Sequence, residues 1–500
     1  MDLHALKVAH LVGAGGINMS AVGKLLLHAG LRVSGSDLAE NPELEILRER
    51  GAVIHLGHAV ANVPAETDVL IYSSAVPENN PERAEARRRG IQELTNFQFL
   101  GAWFKDKKTI VVSGTHGKST TTAMLGLMLI EAGLDPTVIV GSKVPGFSDG
   151  NLRLGASDLF VVEGDEYARH FLDFYPYVVL VNNLELDHTD IYPTLQDVVS
   201  AFAELLGKIR PGGSVTANVG DGNVEQLIKT ESPGLKARGI GINAFGGTGE
   251  WSFKFDSSVD PPVEPGDDRE KHAGSEFTLA KQGTTYRFKL AVPGIHNAEN
   301  AAGAALVALS LGAPYHAIAQ ALAGFKGIWR RFELLGDLGG VAWYSDYAHH
   351  PTAVAATLKA AHSTFPQARI LLVYQPHHKK RTRSLFKEFI PSFDGADQLV
   401  LCEIYDVAGR DAAEDAAISS HDLIAAVHER DAAQQRQRNI EYAPDPKSAV
   451  SQAAAVARPG DIVIVMGAGD IDAAARNLIN AKCQITNAKL DTSEFVIRHL

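Results

Sequence analysis

Short apolar runs alternate with stretches of helical periodicity along most of the chain. Near the N-terminus, the run VAHLVG is followed by a helical stretch near Met19–Ala29 and then by RVSGSD. Further apolar runs occupy Ala52–His55 and Val69–Ser73. Strands that alternate with helices across short loops form parallel sheets covered by helices. This pattern predicts a doubly wound α/β domain over residues 1–107.

The same alternation continues in two later parts of the chain. Buried-strand candidates are Thr109–Val112, Leu159–Glu163, Val178–Asn182, Ile370–Tyr374, Gln398–Leu401 and Asp461–Met466. Residues 248–292 are instead polar and rich in Pro, Gly and Asp, which predicts antiparallel strands at FTLA and YRFKLAV around a mobile loop. An alanine-rich helix, Asn297–Leu311, follows. We therefore predict two further α/β domains, over residues 108–328 and 329–500.

Length and composition agree with three globular domains. A chain of 500 residues is too long to fold around a single hydrophobic core, and its length suggests about three domains. The hydrophobic content is 45% and the net charge is −12. A negative net charge disfavours nucleic-acid binding, so an anionic ligand would need a local basic cluster. Two such clusters are Arg330–Arg331 and residues 377–383.

The cellular compartment is also predicted from the sequence. The N-terminus lacks the pattern of a signal peptide, and no apolar run approaches the roughly 18 residues that span a bilayer. The two cysteines, Cys402 and Cys483, are far apart, which fits a reducing compartment and no disulfide scaffold. We expect a cytoplasmic protein with no membrane partner. The oligomeric state stays open.

The segment Gly114–Thr120, reading GTHGKST, lies between the apolar run Thr109–Val112 and the helical stretch Thr121–Ala132. A strand, a glycine turn, a lysine and a helix start form the arrangement that holds nucleotide phosphates. In such a loop Lys118 reaches the phosphates and the Ser119 hydroxyl binds Mg²⁺. The spacing departs from G-x-x-x-x-G-K-[ST], because a valine takes the place of the first glycine. We predict an ATP-binding domain here; a tight turn with an exposed lysine is the alternative.

A second glycine turn, Gly13–Ser20, also follows a strand and opens a helix, and Asp37 ends the next strand. This arrangement is similar to a dinucleotide-binding fingerprint with its acidic ribose contact, but Asn18 stands at the third glycine position. An NAD(P)-dependent oxidoreductase and a structural turn are therefore both alternatives. The pyrophosphate of a UDP-sugar would use the same backbone amides and helix dipole.

Acidic side chains and a histidine follow two apolar strands of the central part. Glu163–Glu166 (EGDE) ends one strand, and Asn182–His188 (NNLELDH) ends the next. In an open α/β sheet the carboxyl ends of the strands converge on the ligand crevice. Mg²⁺ keeps several waters and takes few protein ligands. The sequence therefore predicts magnesium ligands in Ser119, in one carboxylate such as Glu163, and in His188 on a second ion.

Together these motifs resemble the Mur ligases, the ATP-dependent amino-acid ligases of bacterial peptidoglycan synthesis. The resemblance covers nearly the whole chain and rests on the motifs at Gly13–Ser20, Gly114–Thr120, Glu163–Glu166, Asn183–His188, Pro293–Ala301, Arg330–Glu333, Asp346–Thr352, Gln375–Thr382 and Met466–Ile471. It implies a Rossmann-like N-terminal domain that binds a UDP-sugar, a central P-loop ATPase-type domain and a Rossmann-like C-terminal domain that binds the amino acid and closes on ATP. The implied reaction joins the lactyl carboxylate of UDP-N-acetylmuramate to L-alanine through an acyl phosphate, with ATP and Mg²⁺.

The resemblance also implies roles for matching positions. UDP-sugar binding is implied for Gly13, Gly15, Gly16, Ser20, Asp37, Ser73, Ser74 and Ala75, and ATP binding for Gly114, Thr115, His116, Gly117, Lys118, Ser119, Thr120, His296, Asn297, Arg331, Asp346 and His350. Adenine is expected at His296 and Asn297, the ribose at Asp346 and His350, and the amino acid at His377 and Arg381. The implied catalytic residues are Lys118, Glu163, His188, Arg331 and Arg381.

Departures from the family pattern leave the second substrate open. Tyr167 and Ala168 replace the usual Ser-Asp, and NNLE replaces the usual TNIE, both of which favour a relative that adds a ready-made murein tripeptide. QPHxxxRT favours alanine addition, although His378 and Lys379 replace the usual Arg-Tyr. Alanine is our prediction, with serine, glycine and the tripeptide as alternatives. A non-catalytic UDP-sugar-binding regulator is a further alternative, which the complete phosphoryl-transfer set argues against.

Overall fold

The computed structural model describes residues 3–189, 191–256, 274–405 and 418–482. They divide into two compact units. The first unit holds residues 3–189, 191–255, 276–290 and 297–326, and the second holds 327–405 and 418–482 with 256, 274–275 and 291–296. Residues 257–273, part of the polar segment 248–292, and the C-terminal residues 483–500 lie outside the described residues.

A parallel sheet in the order β3-β2-β1-β4-β5 forms the first domain. Its strands are β1 (Val8–Val12), β2 (Arg32–Asp37), β3 (Val53–Leu56), β4 (Val69–Tyr72) and β5 (Gln92–Thr95), and its helices are α1 (Ile17–His28), α2 (Pro42–Glu49), α3 (Pro81–Arg89) and α4 (Asn96–Trp103). Every residue of the central strand β1 is buried, as expected for a strand covered on both faces. The side chains of Asn41, Asn80 and Thr95 cap the starts of α2, α3 and α4.

The central domain has a sheet in the order β12-β11-β10-β6-β9-β7-β8. Its elements are β6 (Lys108–Ser113), α5 (Lys118–Glu131), β7 (Thr137–Ile139), β8 (Leu152–Arg153), β9 (Leu159–Glu163), β10 (Pro176–Val181), α6 (Leu195–Gly207), β11 (Ser214–Asn218), α7 (Gly222–Ala237) and β12 (Gly241–Phe245). Strand β6 pairs in parallel with β10 on one side and β9 on the other. The loop after β6 therefore lies between the segments that follow β9 and β10.

Most of a small sheet, β13-β14-β15, and of two helices belongs to the first unit. They are β13 (Ser252–Asp256), β14 (Ser275–Lys281), β15 (Thr284–Leu290), α8 (Ile295–Ser310) and α9 (Tyr315–Ala323). The turn between β14 and β15 consists of Gln282 and Gly283, both with positive φ. That conformation is typical of a tight antiparallel hairpin, so the hairpin predicted around FTLA and YRFKLAV is present.

The second unit is another α/β domain, with a sheet in the order β16-β17-β21-β18-β19-β20. Its elements are β16 (Glu333–Asp337), β17 (Ala342–Asp346), α10 (Pro351–Thr364), β18 (Ile370–Tyr374), α11 (Lys379–Ser384), α12 (Phe386–Ser392), β19 (Gln398–Cys402), α13 (Ser420–Ala433), β20 (Asn439–Ala443), α14 (Pro446–Val456) and β21 (Ile462–Met466). Only the edge strand β16 runs antiparallel among the described strands of this sheet. Separate apolar clusters cover its two faces.

The predicted α/β class is confirmed, and the predicted strands are present with shifts of a few residues at their ends. Helix α5 begins at Lys118, three residues before the predicted start at Thr121, because the glycine turn continues directly into the helix. Within the described residues, no helix combines the length and the apolar character needed to cross a membrane.

Candidate active site

The phosphate-loop candidate, Gly114–Thr120, connects β6 to α5 through two glycines with unusual backbones. Gly114 has φ +135° and Gly117 has φ +80°, a region that favours glycine because it has no Cβ. A Cβ on Gly117 would also lie 2.3 Å from Oδ1 of Asn300, which comes from α8. The turn and the close approach of Asn300 therefore both select glycine at position 117.

Helix α5 begins in this loop without a side-chain cap. Gly117 is its N-cap residue, and no hydrogen bond from a described side chain caps the helix. The N–H groups of the first turn have no acceptor within the helix itself. Such N–H groups, together with the positive end of the helix dipole, bind phosphate. The loop has the geometry of a phosphate site, and ATP as its ligand stays a prediction.

Lys118 folds back over the loop that it follows. Its Nζ donates to the backbone O of Gly114 at 2.8 Å and of Thr115 at 3.1 Å. It also donates to Oε2 of the buried Glu166 at 2.8 Å. Burial lowers the pKa of the Lys118 ammonium, but the carboxylates of Glu166 and Asp165 outweigh burial and hold the pKa above its usual value. Lys118 is therefore a fixed positive charge beside the loop amides.

Two of the predicted magnesium ligands are in direct contact. The hydroxyl of Ser119 donates to Oε1 of Glu163 at 2.9 Å, and the N–H of Gly141 donates to Oε2 at 2.8 Å. Burial raises the pKa of Glu163, and the charge of Lys118 and these two hydrogen bonds offset part of the rise. A hydroxyl and a carboxylate are oxygen ligands of the kind that Mg²⁺ prefers.

The third predicted ligand, His188, lies with two other acidic residues. Its Nε2 is 3.6 Å from Oε1 of Glu166, and the ligand atoms of Asp165, Glu166 and His188 all lie within 4.8 Å of one another. Among the described residues, the buried Oε1 of Glu166 has no hydrogen-bond partner. A buried carboxylate oxygen without a donor calls for a cation or a water. This donor set therefore fits Mg²⁺, in addition to the pair Ser119 and Glu163.

In the first domain, strand β2 holds the Gly13–Gly16 turn. The N–H of Gly13 donates to the O of Ser36 at 2.9 Å, and the N–H of Gly15 donates to Oδ2 of Asp37 at 2.7 Å. Asp37 thus lies against the turn where the sequence places the ribose contact. The N-cap of α1 is the last glycine of the turn, again without a described side-chain cap. Both glycine turns of the first unit therefore open helices at a glycine N-cap, although Gly16 is extended and Gly117 is left-handed.

The other residues predicted to bind the UDP-sugar occupy two kinds of position. A Cβ on Gly13 would lie 3.1 Å from Cβ of Ser73, so the segment Ser73–Ala75 borders the turn. Ser74 and Ala75 are exposed. Ser20 is instead fully buried, and its hydroxyl donates to the O of Ile17 at 2.9 Å. Ser20 therefore stabilises the start of α1 in this structure.

In the second unit, Asp346 organises the turn at residues 330–332. Arg330 and Phe332 both have positive φ, +56° and +48°. Oδ2 of Asp346 accepts from the N–H of Phe332 at 2.8 Å, and Oδ1 accepts from the N–H of Ala348 at 2.7 Å. Burial raises the pKa of Asp346, and the charge of Arg331 offsets part of the rise. Arg331 and Asp346, both predicted to bind ATP, thus belong to one local structure.

The remaining predicted residues lie at the starts of helices or near them. His350 is the N-cap of α10, with Nδ1 accepting from the N–H of Thr352 at 3.3 Å. The ring of His377 stacks on Tyr405 at 5.4 Å between centroids. Arg381 is in α11, and His296 and Asn297 are in the first turn of α8. Their contacts with ATP or an amino acid stay predictions.

Comparison with known proteins identifies the family. Residues 8–108 match the model of the Mur ligase family catalytic domain, residues 112–308 that of the Mur ligase middle domain, and residues 330–469 that of the Mur ligase glutamate ligase domain. A curated UDP-N-acetylmuramate–L-alanine ligase from Clostridium acetobutylicum is 35% identical over 93% of this chain and 96% of its own length. Its counterpart from Salinibacter ruber is 36% identical over 94% of each chain. The chain belongs to the Mur ligase family.

Solved structures agree with this Mur ligase assignment. The UDP-N-acetylmuramate–alanine ligase from Thermotoga maritima is similar with a TM-score of 0.77 and 25% identity, covering 96% of this chain and 99% of that one. A murein peptide ligase from Psychrobacter arcticus is similar with a TM-score of 0.67 and 22% identity, covering 95% of this chain and 98% of that one. At that identity the second likeness establishes the fold alone. The predicted family and the three-domain α/β class are confirmed.

Residues without a role in the sequence analysis anchor the phosphate-loop candidate of this Mur ligase, Gly114–Thr120. Oδ1 of Asn183 accepts from the N–H of His116 at 2.8 Å, and its backbone O accepts from the N–H of Thr115 at 3.1 Å. Nδ2 of Asn182 donates to the hydroxyl of Thr121 at 2.9 Å. The sequence offered one signal for this role, the position of Asn182 and Asn183 at the end of a buried strand. The role itself became visible only from the strand order, because β10 lies beside β6 and brings both side chains to the loop.

Asp165 and Glu166 are also additions to the predicted site. Both belong to the segment Glu163–Glu166 (EGDE), but the sequence analysis predicted a magnesium ligand only at Glu163. Three residues after β9, the chain enters a short 3-10 segment, Tyr167–Asp173, which bends at Ala168 and Arg169. Sequence alternation cannot show which acids of such a bend face Lys118. The structure places Glu166 there.

Proposed function

We propose that this Mur ligase uses ATP to join the lactyl carboxylate of UDP-N-acetylmuramate to L-alanine, as a cytoplasmic step in the synthesis of peptidoglycan precursors. The observation that carries the proposal is the identity of 35% with a curated UDP-N-acetylmuramate–L-alanine ligase across 93% of the chain. The contacts of Lys118 with Glu166 and of Ser119 with Glu163 support it, because they bring an ammonium, a hydroxyl and two carboxylates together at the loop, as phosphoryl transfer requires.

The first step activates a carboxylate, which is a poor electrophile. An oxygen of the lactyl carboxylate attacks the γ-phosphorus of ATP, the bond to the β,γ-bridging oxygen breaks, and ADP leaves behind an acyl phosphate. Phosphoryl transfer needs positioning and charge stabilisation more than covalent help from the protein. The loop amides, the α5 dipole and the Lys118 ammonium stabilise the charge that develops on the transferred group.

The second step forms the amide. The neutral amine of L-alanine attacks the acyl carbon, a tetrahedral intermediate forms, and the bond to the phosphate oxygen breaks. The products are the amide and inorganic phosphate, and the amine loses a proton. We propose that Arg381 and His377 bind the carboxylate of the amino acid, since a guanidinium matches a carboxylate in a bidentate manner.

Magnesium ions, when bound, reduce the repulsion between the attacking carboxylate and the triphosphate. We propose that Ser119, Glu163, Asp165, Glu166 and His188 hold them. By the family motifs, His296, Asn297, Arg331, Asp346 and His350 are proposed to bind ATP, and the Gly13–Gly16 turn with Ser20, Asp37 and Ser73–Ala75 is proposed to bind the UDP-sugar. Each assignment can be tested by a substitution at that residue, which is expected to raise the KM of the substrate that the residue binds.

The domain boundaries are likewise proposed. We place them at 107/108 and 328/329, between the last helix of the first sheet and β6, and before the turn at residues 330–332. The matches to the family models support these positions: the first match ends at residue 108, one residue after the first boundary, and the second boundary lies within the unmatched residues 309–329.

Addition of a murein tripeptide is the second candidate. Tyr167 favours it, since the alanine-adding pattern has serine at this position. The ring of Tyr167 meets that of His188 edge-on, with 5.0 Å between centroids. An aromatic ring therefore stands beside a proposed magnesium ligand, where it can shape the space available to the second substrate.

Phosphate release tests the two candidates directly. The protein is incubated with ATP, Mg²⁺ and UDP-N-acetylmuramate, and L-alanine, L-serine, glycine and the Ala-Glu-diaminopimelate tripeptide are supplied in turn. We expect release with L-alanine at a kcat/KM far above that of the others. Release with the tripeptide alone would transfer the assignment to the recycling reaction, and NAD(P)H oxidation without phosphate release would refute both.

A further inference from the structure

A buried lysine connects the first two domains of the first unit. Lys24, in α1, is 2% exposed. Its Nζ donates to Oε2 of Glu43 at 2.8 Å, to Oδ1 of Asn151 at 2.9 Å and to the O of Asp149 at 3.1 Å. A buried ammonium is costly unless its donors are paired, and here three acceptors surround it. Two of them, Asn151 and Asp149, belong to the central domain.

Asn151 also contacts the start of the helix that carries Lys24. Its side chain is 1% exposed, and Nδ2 donates to the backbone O of Ile17 and lies 3.5 Å from Oγ of Ser20. Ile17 is the first residue of α1, directly after the Gly13–Gly16 turn. A side chain of the central domain therefore fixes the helix whose N-terminus forms the proposed UDP-sugar turn.

Asn151 ends a closed loop, residues 141–151, which we call the strap. The N–H of Val140 donates to the O of Asn151 at 3.0 Å and joins the two ends. Inside the loop, the N–H of Phe147 donates to the O of Val144 at 3.1 Å, and both side chains are buried. A loop with joined ends and its own packed side chains behaves as a compact unit. A displacement of one end is therefore transmitted to the other.

The opposite end of the strap contacts the proposed magnesium site. Gly141 donates its N–H to Glu163, the carboxylate that also accepts from Ser119. A Cβ on Gly141 would lie 2.8 Å from Oε2 of Glu163, so this contact leaves no room for a side chain. A Cβ on Gly126 of α5 would lie 3.4 Å from Cζ of Phe147. The strap thus packs on the phosphate-loop helix as well as on the magnesium carboxylate.

Two ion pairs attach the strap to the end of the first domain that carries α2. Nζ of Lys143 lies 2.8 Å from Oε1 of Glu43, and the guanidinium of Arg50 pairs with the carboxylate of Asp149. Burial raises the pKa of Glu43, but the hydrogen bonds from Lys143 and Lys24 outweigh it and lower the pKa to about 2. Glu43 is therefore ionised at neutral pH and holds both lysines.

We propose that the strap links the two substrate sites, so that UDP-sugar bound at the Gly13–Gly16 turn and ATP bound at Gly114–Thr120 strengthen each other's binding, with Lys24 and Asn151 as positioning residues. The proposal rests on the proposed function. Linkage of this kind is reciprocal, so each ligand raises the affinity for the other by the same factor. Neither positioning residue needs to touch a substrate for this effect.

The test measures that factor in the full chain. Calorimetry gives the Kd of UDP-N-acetylmuramate and of the non-hydrolysable β,γ-imido analogue of ATP with Mg²⁺, each alone and with the other ligand saturating. We expect a factor of about five or more in the wild type. In Asn151→Leu, which keeps the side-chain size but removes the amide, we expect each single-ligand Kd to stay within about threefold while the coupling factor falls close to one.

Arg48→Gln is the matched control. Arg48 is on α2 and pairs with Glu40 at 2.8 Å, away from the strap, so its coupling factor is expected to equal that of the wild type. If thermal unfolding shows that Asn151→Leu does not fold, Arg50→Gln replaces it, because Arg50 is at the surface and its loss removes the pair with Asp149. Its coupling factor is expected to fall between the wild-type value and one.

The outcomes separate the two proposals. If both ligands bind, L-alanine releases phosphate, and the folded variant keeps the wild-type coupling factor, the strap proposal is overturned while the function stands. A coupling factor of one in the wild type would also overturn the strap proposal and leave the proposed function standing. If the wild type binds no UDP-N-acetylmuramate and releases no phosphate, the proposed function itself fails, and the strap proposal fails with it.

Discussion

Nζ of Lys118 and Oε2 of Glu166 form an ion pair at 2.8 Å in the interior of the central domain. Lys118 is the first residue of α5, and Glu166 lies in the segment that follows β9. Removal of one partner from a buried pair leaves the other charge uncompensated. The pair therefore joins the phosphate loop to the acidic segment that carries the proposed magnesium ligands.

Lys118→Met is expected to abolish turnover. The substitution removes the positive charge beside the loop amides and leaves the carboxylate of Glu166 buried without its partner. We expect kcat for phosphate release to fall at least about 100-fold, the scale seen when one charge-stabilising donor is lost. Lys229→Met is the control, since Lys229 is an exposed lysine of α7 paired with Glu225. Activity of Lys118→Met within tenfold of that control would refute the role of Lys118.

Glu163→Gln is expected to weaken magnesium binding. It keeps the size of the side chain but removes the charge that faces Ser119 at 2.9 Å. We expect the Mg²⁺ concentration for half-maximal phosphate release to rise about tenfold or more. Because Ser119 and Glu163 contact each other, Ser119→Ala combined with Glu163→Gln should cost less than the sum of the two single changes. An unchanged Mg²⁺ dependence would remove Glu163 from the metal site.

Gly117→Ala is expected to inactivate the loop, whereas Gly133→Ala is not. The two glycines have similar φ, +80° and +72°, so both substitutions carry the same backbone strain of about 1–2 kcal/mol. The two positions differ in the space around the new Cβ. A Cβ on Gly117 would lie 2.3 Å from Oδ1 of Asn300, whereas a Cβ on Gly133 would have no other residue within 4 Å. Thermal unfolding should therefore show a lower melting temperature in both variants. The kcat for phosphate release should fall only in Gly117→Ala. Equal kcat values would contradict the tight fit of the loop.

A buried carboxylate in the first domain predicts a loss of stability in acid. Glu82 is fully buried, accepts from the hydroxyl of Ser36 at 2.5 Å and from Nδ2 of Asn62 at 2.6 Å, and lies 3.2 Å from Nε2 of His10. The ring of His58 also faces it, with Nδ1 3.7 Å from Oε2 of Glu82. Burial raises the pKa of Glu82, but hydrogen bonds from His10, Ser36 and Asn62 outweigh it and lower the pKa to about 2.

The sign of this effect follows from the direction of the shift. The unfolded chain binds the proton of Glu82 near the ordinary value of 4.5, whereas the folded chain binds it near 2. The stabilisation, about 3 kcal/mol, is therefore complete above pH 4.5 and is lost as the pH falls from 4.5 towards 2. We expect Glu82→Gln to unfold at a lower temperature at pH 7 and to show a flatter decline below pH 4.5. Glu49→Gln, at an exposed position of α2, should follow the wild-type curve.

Most of the fold was predictable because its elements have local causes. The apolar runs at Leu159–Glu163 and Ile370–Tyr374 coincide with β9 and β18, since a strand buried on both faces must be apolar along its length. The start of α5 was placed three residues late, because Lys118 and Ser119 belong both to the loop and to the helix. The order β10-β6-β9 had no signature in the sequence, since it depends on pairing between distant segments.

The sequence by itself determined the family and the α/β class, because their signals are local: apolar runs mark the buried strands, and glycines, a lysine and a hydroxyl at the start of a helix mark the proposed phosphate loop. The tertiary structure decided which acids surround Lys118 and what fixes the start of α1, directly after the Gly13–Gly16 turn. Glu166, and Asn151 together with Lys24, reach those places only through the packing of segments far apart in the chain. A contact that depends on packing between distant segments leaves no periodic pattern, and only the folded chain reveals it.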